Sequence, residues 1–227
     1  MSIVFDAAAD RLKITTSTLL WTTGNPYTQM GWFNINALTG GLQSFFPLLL
    51  DNVTAYIFMG TLSSGALYYE NSSGSSFTGS ILSLSTWYHI AFTYTPNGNC
   101  FIYLNGTVQN GAGSTANSLA GTPDQQELGG WRTTNGNRLD GSIAAVKFWN
   151  RALSGAEVAA EVNFAAPQTV TNLYGYWYLN NETDYLDQSG NAHHWSPLGT
   201  LTAGANPPGV AGLNYGGVRR AALMGFG

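Results

Sequence analysis

Few side chains in this sequence could do chemistry, and most of them stand alone. Asp184, Asp187, Ser189 and Asn191 put four oxygen donors into one short stretch. Such a stretch suits a hard cation such as calcium, which is bound through oxygen. The same residue types also build turns by bonding their own backbone. Asp184 and Asp187 are therefore candidate metal ligands, with turn formation as the competing role. His193 and His194 are adjacent, and His89 lies far away in the chain. Neighbours on an extended segment point to opposite sides, and no cysteine or acid completes a zinc set. His89 is expected on a strand face with its ring hydrogen-bonded. Cys100 is the single cysteine and lies in the run Cys100-Phe101-Ile102-Tyr103-Leu104. No base or cation flanks it, so it reads as a small buried hydrophobe rather than a reactive thiol. The segment Gly130 to Arg138 combines one flat ring, Trp131, with Arg132, Asn135 and Asn137. Trp131 either lies exposed for stacking or plugs an end of the fold.

Composition narrows the function classes. Charged residues make up 9% of the 227 residues, and the formal net charge is −4. A typical domain carries about 25% charged residues, and nucleic-acid binders cluster Lys and Arg. A nucleic-acid partner is therefore not expected. With 44% apolar and 13% aromatic residues, the chain can build a sizeable core. The run Phe45 to Leu50 is far too short to span a bilayer, so no membrane association is expected. The start, Met1-Ser2-Ile3-Val4-Phe5-Asp6, lacks a basic region followed by an apolar one. Synthesis in the cytoplasm without a signal peptide is the expectation.

Glycines, 28 in all, punctuate short runs of aromatic and β-branched residues, the signature of many short strands. Strands are expected at Arg11 to Thr15, Tyr27 to Ala37, Ala55 to Met59 and Ala66 to Tyr69. Pro47 assigns its segment to an edge strand, a bulge or a loop. Trp87 to Thr95 puts Tyr88, Ile90, Phe92 and Tyr94 on one face. Pro96-Asn97-Gly98-Asn99 turns the chain, Cys100 to Leu104 returns, and Asn105-Gly106 suits a second tight turn. Ile143 to Trp149 reads as an inner strand, apolar except for Lys147. Ser154 and Glu157 form a capping box for a helix of about ten residues. Tyr174 to Leu179 returns to a sheet. A Pro- and Gly-rich break at residues 204–209 precedes an apolar tail. The division is a domain over residues 1–197 and an arm over residues 198–227.

The order of these segments resembles the laminin-G-like (LamG-like) members of the concanavalin A-like lectin/glucanase superfamily. The resemblance runs over residues 2 to 165. Phe5-Asp6 with Asp10-Arg11-Leu12-Lys13-Ile14 is similar to the opening strand pair. Tyr27 to Phe33 is similar to the strand carrying the family's tryptophan. Trp87-Tyr88-His89-Ile90-Ala91-Phe92-Thr93-Tyr94 and Phe101-Ile102-Tyr103-Leu104-Asn105-Gly106 resemble its most recognisable pair. Leu128-Gly129-Gly130, Leu139-Asp140-Gly141-Ser142-Ile143 and Phe148 to Ser154 resemble its closing strand and helix. The resemblance implies an all-β, two-sheet antiparallel jelly-roll sandwich with one short helix and a C-terminal extension.

It also frames the site. Laminarinase-type members carry a Glu-x-Asp-x-x-Glu cluster, because glycoside hydrolysis needs two carboxyls at a set separation. No such cluster exists here, so a non-enzymatic role is expected. Calcium is the one cofactor the family suggests, but the positions where it often places acids are Ala144 and Ala145. Sugar binding follows from the family, with Trp131, Arg132, Asn135 and Asn137 as candidate contacts. Stand-alone domains of this kind are similar to phage virion proteins, such as capsid decoration or tail-surface proteins. Low charge suits packing against other subunits, as a homo-oligomer or against capsid and tail proteins. In that role Arg219, Arg220, Leu223, Met224 and Phe226 of the arm would contact a neighbour. Two functions thus stand side by side: a virion surface protein, and a carbohydrate-binding lectin module of a bacterial or viral surface, located outside the cell or at its surface.

Overall fold

The hairpin expected around residue 96 organises half of the molecule. In chain order the elements are β1 (Ser2–Phe5), β2 (Arg11–Thr15), β3 (Tyr27–Ile35), β4 (Gln43–Ser44), β5 (Leu48–Leu50), β6 (Ala55–Thr61), β7 (Ala66–Asn71), β8 (Ser76–Ile81), β9 (Trp87–Tyr94), β10 (Gly98–Leu104), β11 (Thr107–Val108), β12 (Ser114–Ala116), β13 (Pro123–Leu128), β14 (Gly141–Trp149), α1 (Gly155–Glu161), β15 (Leu173–Trp177), β16 (Ser196–Leu198) and β17 (Thr202–Gly204). The computed structural model describes residues 1–7, 9–15, 25–46, 48–50, 55–72, 74, 76–109, 114–116, 123–131 and 137–211. Phe101 pairs with Thr93 and Leu104 with Ile90 across β9 and β10. Asn97 takes a φ of 52°, and Asn105 and Gly106 take 50° and 80°, as the two turns require.

The described strands form two antiparallel sheets. The first runs β11-β10-β9-β3-β14-β1-β17, with β15 added beside β14 and β12 beside β10. The second runs β16-β2-β13-β5-β6-β7-β8, with β4 beside β6. Alternation aims Ile90, Phe92 and Tyr94 of one sheet at Ile57, Met59, Leu67 and Tyr69 of the other, all buried. Tyr69 stacks on Phe92 at 4.7 Å across the gap. Phe33 meets Phe45 at 4.5 Å and Phe46 at 5.0 Å. The fold is the all-β jelly-roll sandwich with a short helix that the sequence implies. Among the described residues no helix is long and apolar enough to cross a membrane.

Helix α1 seals the outer face of the first sheet. Its N-terminus carries the expected capping box between Ser154 and Glu157, and it spans 7 residues rather than about ten. Arg151 holds Glu157 through Nη1 at 3.1 Å and Nη2 at 2.6 Å. The Arg151 hydrogen bonds, helped by the Ser154 backbone, pull the Glu157 carboxyl down to about 2. Lys147, the one charged residue of β14, donates to Glu161 Oε2 at 2.8 Å, Glu161 O at 2.9 Å and Phe164 O at 2.7 Å. Three acceptors saturate the ammonium. Burial pulls the Lys147 ammonium down, and Glu161 pulls it back. Glu161 Oε1 accepts from Gln168 N and Thr169 N. Trp32 Nε1 and Trp149 Nε1 donate to the carbonyls of Val162 and Thr169.

Three expectations are revised. The segment after Pro47 is an inner strand, since β5 lies between β13 and β6; Pro47 itself lies outside the described residues. A proline just before a strand costs no ladder bond within it. The boundary at residue 197/198 falls inside β16, which pairs with β2, while β17 pairs with β1. These three-residue edge strands are mostly exposed, so backbone pairing holds them without a buried apolar face in the sequence. Ala211 forms a bridge with Phe164, so the chain remains on the sandwich to that point. The arm residues Arg219, Arg220, Leu223, Met224 and Phe226 lie outside the described residues. Finally, His89 is fully buried against Trp32, and neither ring nitrogen has a hydrogen-bond partner among the described residues. It was expected to be hydrogen-bonded. Burial and the nearby Lys147 charge push it down to about 3, so it stays neutral.

Candidate functional site

The second sheet turns a different set of side chains outward. In β6, Ile57 and Met59 point into the core, which leaves Tyr56 and Phe58 on the outer face. In β7, Leu67 and Tyr69 point inward and Tyr68 and Glu70 outward. Phe58 stands directly opposite Glu70, and Gly60 opposite Tyr68. In β2 and β13, Arg11, Lys13, Gln125 and Glu127 occupy the same outer face, with Glu127 paired to Lys13.

Trp131 reaches this face through two glycines. Gly129 takes a φ of 73°, and a Cβ there would meet the Phe5 ring at 2.6 Å. A Cβ on Gly130 would meet Arg11 Cβ at 2.7 Å. Only glycine lets the backbone leave β13 so close to its neighbours. The indole then packs on Tyr56 at 5.1 Å and on Phe58 at 5.7 Å, and Phe58 contacts Tyr68 at 6.1 Å. Trp131 is half-buried and does not plug an end of the sandwich. Of the other sugar contacts expected from the sequence, Asn137 is half-buried beyond the loop, and Arg132 and Asn135 lie outside the described residues.

Charge is distributed unevenly over the face. Tyr56 donates to Glu70 Oε1, and Tyr68 donates to Glu70 Oε2 at 2.6 Å. Partial burial, with the hydrogen bond to Glu70, pushes both phenols up to about 12. Glu127 is fully buried, with Arg11 Nε 3.2 Å from its Oε1 and Gln125 donating to the same oxygen. The Arg11 N–H is not aligned for a hydrogen bond, so this contact is electrostatic. The strands carrying Glu70 and Glu127 are separated by β5 and β6. At strand spacing that sets their backbones about 14 Å apart, whereas glycosidases hold their carboxyls roughly 5–9.5 Å apart.

The acidic loop near residue 187 behaves differently. Asp187 Oδ1 accepts from Tyr176 N at 3.2 Å and Ser189 N at 2.9 Å. Its Oδ2 accepts from Ser189 Oγ at 2.8 Å and His193 N at 3.1 Å. Four donors fill the carboxylate, which organises the turn. Asp184 accepts from Asn180 N, and burial raises its pKa. Asn191 Nδ2 donates to the carbonyls of Leu173 and Tyr174. His193 stacks on Tyr174 at 3.8 Å, and His194 Nδ1 accepts from Asp187 N. Ala144 and Ala145 are fully buried. No group of three or more potential metal ligands occurs among the described residues. A depression of about 430 Å³ between Pro167, Val170, Leu173, Tyr176, Gln188 and Asn191 carries no charged side chain.

Residues 6–159 match a laminin G family of the concanavalin A-like lectin/glucanases superfamily, and the chain belongs to it. A candidate carbohydrate-binding protein from Bacteroides ovatus shares the fold at a TM-score of 0.60 and 15% identity, covering 88% of this chain and 60% of that one. A heptameric SAP-like pentraxin from Limulus polyphemus aligns at 0.53 and 15%, covering 71% and 81%. Trypanosoma rangeli sialidase aligns at 0.52 and 18%, over 61% of this chain and only 23% of the sialidase. No curated protein sequence matches significantly.

The sequence reading missed Tyr56, Phe58, Tyr68 and Glu70. The signal was available in Tyr56-x-Phe58 and Tyr68-x-Glu70, where period-two spacing puts each pair on one face. An apolar run with aromatic residues on both faces reads as a buried strand until the neighbouring sheet is known.

Proposed function

We propose that the chain is a non-catalytic carbohydrate-binding domain whose ligand lies along the outer face of the second sheet. The carrying observation is the half-buried Trp131 beside the half-buried Tyr56 and Tyr68, packed over the buried Phe58 and bordered by Glu70. Flat apolar rings with a few fixed polar groups are how small-molecule sites combine affinity with orientation. The family and the Bacteroides ovatus relative support this reading. The wide spacing of Glu70 and Glu127 supports a binding role over hydrolysis. Titration against a glycan panel tests it, with Trp131→Ala as the control: wild type binds a sugar and the variant binds it far more weakly. Failure of every glycan to bind overturns it.

A virion surface or assembly role is the second reading, and it is compatible with a sugar-binding face. Its support is the 9% charge content and the exposed apolar side chains Ile81 and Val170, each 71% exposed. Removing residues 212–227 spares the Ala211 bridge and tests the arm. Unchanged assembly of the shortened chain sinks the stapling role.

A further inference from the structure

We propose that the Trp131 face selects sugars that carry a protonated amine, because it sets Glu70, a carboxylate that no cation among the described residues neutralises, beside three half-exposed aromatic rings, Tyr56, Tyr68 and Trp131. This rests on the sugar-binding reading and adds the charge of the ligand.

The two carboxylates of the face are in opposite situations. Glu127 is buried and neutralised by Arg11, with Gln125 adding a donor. Glu70 is half-exposed, and among the described residues no cation pairs with it. Among the described residues its side-chain partners are the hydroxyls of Tyr56 and Tyr68, one on each oxygen. These are neutral donors. They hold the carboxylate in place without cancelling its charge, and each oxygen keeps capacity for a second donor. An ammonium group supplies both the donor and the missing charge.

The rings favour the same ligand. Tyr56, Trp131, Phe58 and Tyr68 form a connected series with centroid separations of 5.1, 5.7 and 6.1 Å. Aromatic faces carry negative potential and attract cations, more strongly when a site is partly desolvated. A neutral sugar would use the rings and leave Glu70 without a counter-charge. An acidic sugar would meet the carboxylate as a like charge. The amino-sugar ligand thus satisfies the rings and the carboxylate at once.

Calorimetric titration with three oligosaccharides tests this: a glucosamine oligomer, its fully N-acetylated counterpart and a cello-oligosaccharide of the same length. At a pH below the pKa of the amine, the glucosamine oligomer should bind about tenfold tighter than the two neutral ones. The advantage should shrink with added salt and as pH rises through the pKa of the amine. Glu70→Gln keeps the side-chain shape and should remove the advantage, with its urea-unfolding midpoint verifying its fold. Equal binding of all three by the wild type overturns the charge selectivity and leaves the sugar-binding reading intact. An advantage that persists in Glu70→Gln also overturns it. Binding of none of the three overturns both.

Discussion

The two sheets use their outer faces in opposite ways. On the first sheet, Lys147 and Glu161 form a buried ion pair in which the ammonium meets three acceptors and the carboxylate also takes two backbone donors. On the second, Glu70 has two phenol hydroxyls and, among the described residues, no cation, beside an indole that stays half-exposed. The first face carries a helix and two tryptophans whose N–H groups donate to that covering layer. On the second, Tyr56, Tyr68, Glu70 and Trp131 stay partly exposed around the buried Phe58 and Glu127. Complete internal pairing marks a face that is finished on folding. Incomplete charge pairing among ordered rings marks a face that a ligand can complete.

This contrast can be broken by mutation, and the largest effect belongs on the sealed face. Lys147→Ala leaves Glu161 as an uncompensated buried charge and should cost about 3–5 kcal/mol, read from urea unfolding. Sugar affinity of the folded fraction should not change. A variant of wild-type stability would show that the pair does not hold the helix layer.

Next comes His89. Its folded-state pKa of about 3 lies below the usual value of 6.5, so the unfolded chain binds the extra proton. The stability it contributes is complete above pH 6.5 and is lost as pH falls toward 3. The slope approaches roughly 1.4 kcal/mol per pH unit. Glu157 acts in the same direction only below its usual 4.5, and Asp184, raised by burial, acts oppositely in wild type and variant alike, so the two slopes are compared from pH 6.5 to 4.5. Denaturant unfolding of His89→Phe over that range should show a shallower rise of stability with pH than the wild type. A slope equal to that of the wild type would reject the assignment.

On the open face, Trp131→Ala should weaken sugar binding by about thirtyfold, the effect of losing a central aromatic anchor of roughly 2 kcal/mol. Its unfolding midpoint should barely move, the reverse of Lys147→Ala. A large stability loss would make Trp131 a core residue. The smallest effect is Ser154→Ala, which removes the helix cap and should cost about 1 kcal/mol with unchanged binding.

Strand positions and the cap were legible because they depend on local periodicity and turn chemistry. Asn97, Asn105 and Gly106 take the positive φ that their residue types suggested. Ser154 and Glu157 make the bonds that their spacing implied. Part of the site was legible too, since Trp131 stands out beside its two glycines. Its partners were not. Tyr56 looks like a core residue in sequence, and Asp187 looks like a cation ligand until its four backbone and hydroxyl donors are known. The edge strands β16 and β17 escaped notice because they pair through backbone alone.

From residue order alone came the all-β character, the helix and its cap, the family and one ring of the binding face. These follow from interactions within a few residues of each other. Which carboxylate is neutralised, which tryptophan is covered and which sheet face stays open depend on strands distant in the chain becoming neighbours. Glu70 and Tyr56, or Glu127 and Arg11, acquire their roles only through that pairing, because charge compensation acts through space rather than along the chain.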